Sequence, residues 1–291
     1  MTQESSTLAQ QVPPAVTNVL NRGLALHGAH EYHVAAGTYF TVPNVLDTLD
    51  ARSGQPAVSL PVRRYAQGEG LRGRAAALGQ VGTLSHINDA IFDAETSLRF
   101  QGQISDELLH AGADQRRASH GIFGRLLLQK TLRKRWLFSE VGAEDEKNVD
   151  KALGHLQMAL DPNVEPPVSP QMTINFSWLE ALAKLWQGDQ TSAKELARNA
   201  IRIGWESEAK GAPSSNPDLS PAMRLKAKLR AVARPIGVLA AATIATPVKP
   251  AELKTKAPDV PDSTRTKAAL FISEALFVGP RKLHRLRVQG Q

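Results

Sequence analysis

The feature that most constrains this chain is the stretch from Leu182 to Ile201, which reads as the end of one helix, a Gly-Asp turn and a second helix. Ala193, Ala197 and Ala200 stand at i, i+4 and i+7, so three small residues share one face of the second helix. A face of that kind lets a neighbouring helix approach closely. The remaining composition agrees with helices. Apolar residues make up 42% of the 291 residues and aromatic residues only 5%, with Ala and Leu frequent. That apolar fraction suffices for a core and argues against wholesale disorder.

Several classes are excluded or disfavoured by the residues themselves. With no cysteine there is no disulfide, no thiolate nucleophile and no Cys-ligated zinc or iron–sulfur site. The N-terminal residues lack the basic and apolar regions of a signal peptide and the arginines of a transit peptide, so an intracellular, cytoplasmic location is expected. The longest apolar candidate, Pro235 to Val248, is 14 residues long and interrupted by Pro, Gly and Thr. It is shorter than a membrane span of roughly 20 residues and reads as a buried helix or a loop.

Charge is unevenly distributed. Residues 137–220 carry 7 basic and 13 acidic groups, whereas residues 221–291 carry 14 and 4. The formal net charge of +7 therefore arises mainly in the last quarter of the chain. Such asymmetry points to separate roles for the two parts or an electrostatic contact between them. Residues 209–220, rich in Gly, Pro, Ser and Asn, read as a linker. The expected organisation is a helical domain over 1–208, the linker 209–220 and a basic helical tail over 221–291.

Periodicity predicts helices over 5–27, around Val45 to Leu49, within 62–79, and over 83–100, 144–160 and 221–234, a helical hairpin over 172–203, and a last helix over 264–278. Residues 106–138 read as two helices split near Gly121–Gly124, the second amphipathic and basic. The segment 28–41 is ambiguous, because its glycines and β-favouring residues weaken a helix.

Lys151 to Pro162 resembles the second helix of a tetratricopeptide repeat, with Ala152, Leu156 and Ala159 at i, i+4 and i+7 and Asp-Pro at its close. The run from Trp186 to Asp189 is similar to that family's inter-helix turn, and Ala181 falls near its small first-helix position. Trp178 stands one residue off the family's register and Lys184 takes its tyrosine position. Ala152 and Ala193 are 41 residues apart, against a family spacing of about 34. The resemblance covers about residues 144–204. It implies an all-α fold of stacked helical hairpins whose concave groove binds a peptide or partner helix. The same residues also admit an ordinary hairpin in an irregular α-domain.

Enzymatic motifs are weak. Gly68, Gly70 and Gly73 match a dinucleotide fingerprint, and Asp93 follows twenty residues later. The fingerprint requires a buried strand before it, and Pro61, Arg63 and Arg64 spoil one, so a glycine-rich loop or frayed helix is expected. His27, His30 and His33 are spaced by three, which spreads their rings around a helix, so no shared metal is expected even with Glu31 nearby. His110, Asp114, Ser119 and His120 lack any nucleophile-elbow context. Asp145-Glu146 reads as a solvated helix start.

The leading expectation is a non-enzymatic adaptor or assembly factor that binds another protein in a helical groove, without a catalytic residue, metal or cofactor. Its expected contacts are Trp178, Lys184, Trp186 and Trp205. The alternative is peripheral binding of nucleic acid or an anionic membrane through the basic region, by Arg224, Lys228, Arg230, Arg281, Lys282, Arg285 and Arg287.

Overall fold

The computed structural model describes residues 8–104, 113–138, 143–164, 168–210 and 221–244. Among them the chain is all-helical. Eleven helices follow in order: α1 Leu8–Gln11, α2 Pro14–Gly28, α3 Tyr32–Phe40, α4 Val42–Ser53, α5 Leu60–Val81, α6 Leu84–Gly102, α7 Ala113–Phe138, α8 Ala143–Ala159, α9 Pro170–Trp186, α10 Gln190–Lys210 and α11 Pro221–Ile244. They form two compact units. The first holds the residues up to Leu126 together with Val164. The second holds Leu127–Asn163 and residues 168–244.

In the first unit α5 is the hub, packed by α1, α2, α3, α4 and α6. A helix covered on so many sides needs a small radius, and α5 has one: Ala66, Gly68, Gly70, Ala75, Ala77 and Gly79 are all buried. Its 22 residues span about 33 Å. At its N-terminal end Leu8, Val12, Val16, Val42, Leu46, Val62, Tyr65, Ala66 and Ile104 form a hydrophobic cluster. Gly54 and Gly82 close α4 and α5 with φ of 68° and 82°, a left-handed conformation that suits glycine. The ambiguous segment 28–41 resolves into a helix, because Ala35, Ala36 and Tyr39 bury one face of α3.

The second unit runs in series. α9 packs on α8, on α10 and on α11, and α10 packs on α11. Ala152, Leu156 and Ala159 of α8 are wholly buried, as are Ala193, Ala197 and Ala200 of α10. The α9–α10 turn places Gly188 at φ 83°, and Asp189 then caps α10, its Oδ1 accepting from the Ser192 backbone N–H at 3.0 Å. A hydrogen bond from the Ser192 side chain, and then this backbone bond, hold the Asp189 carboxyl below its usual pKa. Ser169 caps α9 similarly, ahead of Pro170 in the first turn.

Several expectations change. Residues 113–138 form one helix without a break, and Gly121 and Gly124 are buried within it. Not all of its basic residues face solvent. Arg133 is 0% exposed, and Gln129, Thr131 and the run Leu126–Leu128 are buried beside it. Asp145, expected at a solvated helix start, is 5% exposed. The segment after Pro235 continues α11 as a buried helix, with Val238, Ala241 and Ala242 inside. Helix α11 packs on α9 and α10 within the second unit. Residues 211–220, most of the expected linker, and the expected helix 264–278 lie outside the described residues.

Candidate functional site

The glycine fingerprint lies in the middle of α5, where it serves contact between helices. An added Cβ on Gly73 would sit 2.5 Å from Cε1 of Tyr39, and one on Gly23 of α2 would sit 2.6 Å from the same atom. The two glycines therefore flank the Tyr39 ring. A Cβ on Gly70 would lie 3.1 Å from Val42. Ser97 of α6 closes the third approach, its hydroxyl donating to the Gly68 carbonyl at 2.8 Å. The expectation of a loop or frayed helix here is replaced by an ordered helix interior. Among the described residues no strand precedes it, so the strand-to-helix geometry of a dinucleotide site is not met.

Asp93, the acidic residue twenty positions on, is 2% exposed. Its Oδ1 accepts from Arg74 Nη1 at 3.0 Å, while among the described residues Oδ2 has no hydrogen-bond partner. Burial raises the Asp93 carboxyl to about 6, Arg74 opposes that rise and Asp89 adds to it. The Arg74 guanidinium also lies over the Phe40 ring, 4.7 Å from its centroid. On the same helix Glu69 pairs with Arg72. Tyr65 is pushed up to about 12, chiefly by burial and then by Glu69, and its hydroxyl accepts from Gln115.

The sequence-flagged histidines are divided. His27 and His30 each meet Tyr32 edge to face, at 5.2 and 5.7 Å between centroids, and His30 Nδ1 bonds the Tyr32 hydroxyl. His33 points elsewhere, meeting His86 of α6 at 5.3 Å. Burial, then the charges of Arg125 and His30, lower the His27 pKa. Among the described residues no group of three His, Asp or Glu side chains is placed to hold a metal ion. Ser119 is buried and accepts from Gln101 Nε2 at 2.9 Å. His110 and the side chain of Asp114 lie outside what the structure describes.

The four expected contacts of the α9–α10 hairpin are not brought together. Trp178 is 1% exposed and belongs to the core, with the Arg234 guanidinium of α11 lying 5.3 Å from its ring. This corrects its expected role as a surface contact: a large ring at mid-helix is where α11 closes over α9. Lys184 and Trp186 are half-buried near the turn. Trp205 is 43% exposed and stands fifteen residues into α10, about 22 Å along the axis from the turn. Sequence reasoning missed the Asp93–Arg74–Phe40 constellation as a unit, because its members lie on three helices.

Arg224, Lys228 and Arg230 fall on α11, whose side chains are described from Val232 onward, and Arg281, Lys282, Arg285 and Arg287 lie outside the described residues. No helix among the described residues is long and apolar enough to cross a membrane. No family model, no curated protein and no solved structure matches the chain.

Proposed function

We propose that this protein is a non-enzymatic interaction module, an adaptor or assembly factor that binds another protein on its second helical unit. The observation that supports this reading is the serial packing of α8 to α11 on wholly buried small-residue faces. Stacked hairpins of this kind present extended helical surfaces on which a peptide or helix can lie. Trp205 is the contact residue of the reading. Its ring is large, 43% exposed, and carried on a rigid helix of 21 residues. The tetratricopeptide-like arrangement belongs to the same proposal, with Ala152, Leu156 and Ala159 as its second-helix face.

Affinity purification of the full chain beside a Trp205→Glu variant tests it. The expected result is a protein partner that resists moderate salt and is lost in the variant, while helicity and melting temperature stay the same. A partner retained unchanged by Trp205→Glu overturns the role of that surface. The alternative of nucleic-acid or anionic-membrane binding rests on the basic sequence over 221–291 and predicts capture that falls steeply with salt.

A further inference from the structure

We propose that Asp93, Arg74 and Phe40 form a pH-sensitive latch in the first unit, in which the buried carboxylate of α6 holds the guanidinium of α5 beneath the exposed aromatic ring of α3. The geometry sets up two states. Arg74 has two attachments, the Asp93 carboxylate at 3.0 Å and the Phe40 ring at 4.7 Å. The first is electrostatic and depends on ionisation; the second does not depend on Asp93. Asp93 is 2% exposed, whereas Arg74 is 26% exposed at its side chain and Phe40 is 58% exposed. A protonation event in the interior is therefore read out at the surface.

Among the described residues, two charges act on Asp93. From α5 comes Arg74; from its own helix comes Asp89, one turn earlier. The α3 side contributes the neutral Phe40 ring, and its His33 lies farther along, against His86. From α7, Ser119 meets Gln101, two turns beyond Asp93. One favourable ion pair thus acts against burial and Asp89. Among the described residues the buried Oδ2 has no donor to stabilise the charge. Burial dominates, so the carboxyl takes up its proton near pH 6. Above that pH the latch is closed. Below it Asp93 is neutral, Arg74 is released from its ion pair, and the surface around Phe40 gains one positive charge.

NMR on the full-length chain tests the proposal, reading the Asp93 carboxyl carbon and the Arg74 Nε–Hε signal from pH 4 to 8. The expected result is one midpoint near 6 shared by both signals. Asp93→Asn abolishes the Arg74 transition, which ties that transition to this carboxyl and to no other group. Arg74→Gln, which removes the favourable charge and leaves Asp93 in place, moves the carboxyl midpoint higher. An Asp93 midpoint at or below 4, or an Arg74 signal that does not follow it, overturns the latch.

Discussion

Replacing Gly73 by Ala distinguishes the structural role of the α5 glycines from any other. At an unconstrained helix position the change stabilises by up to about 1 kcal/mol, because glycine is the poorer helix former. At Gly73 the new methyl would sit 2.5 Å from Cε1 of Tyr39. The ring has little room to retreat, since Gly23 flanks its other face so closely that a Cβ there would lie 2.6 Å from the same atom. Overpacking of this kind costs about 1–3 kcal/mol. The clash exceeds the propensity gain, and the expected net effect is a loss of about 1–2 kcal/mol, a few degrees in Tm for a unit of this size. Gly37 on α3, with nothing within 4 Å of its Cβ position, is the control. Thermal and urea unfolding should show Gly73→Ala destabilising and Gly37→Ala neutral or stabilising. Combining Gly73→Ala with Tyr39→Leu should recover part of the loss, as a coupled pair must. A Gly73→Ala variant as stable as the parent would refute the packing argument.

Four other outcomes follow from named contacts. Asp93→Asn should flatten the stability profile between about pH 4 and 6: the folded state holds this proton more tightly than the unfolded chain, so its contribution is present below the ordinary 3.8 and lost as pH rises through about 6. The shift of about two units corresponds to about 3 kcal/mol at most, so the variant should be at least as stable as the parent at pH 7.5, by urea unfolding. Asp189→Ala should cost about 1 kcal/mol at neutral pH through loss of the α10 cap, and the difference should shrink in acid, where Asp189 itself is protonated, as a pH series of melts would show. Trp178→Ala should cost about 3–5 kcal/mol, as for other fully buried aromatic rings. A chain ending at residue 220 should bind a hydrophobic dye that the full chain does not, because α11 covers Trp178 and packs along α10.

The α9–α10 hairpin was legible in the sequence, since Gly188-Asp189 and the alanine face carry helix stop, cap and packing signals within one short stretch. What failed was the reading of glycine as a breaker. Gly68, Gly70 and Gly73 suggested a loop or frayed end, and Gly121 and Gly124 a break, yet all five lie inside helices. Each costs about 1 kcal/mol locally, and close helix packing outweighs that cost. Buried charge was equally hidden. Asp93, Arg117, Arg133 and Asp145 look like surface residues in a hydropathy pattern, and only the tertiary structure shows that they lie inside. The exposed Leu24, 66% accessible on a helix whose Val16 is fully buried, is the converse case.

The proposal that the second unit binds protein is tested most directly by a photo-crosslinking amino acid placed at position 205 of the full-length chain in cells. The account predicts a discrete protein adduct from this position and a much weaker one from position 198, which is exposed on the same helix without an aromatic ring. No protein adduct from position 205, with the chain folded and expressed at normal level, would contradict it.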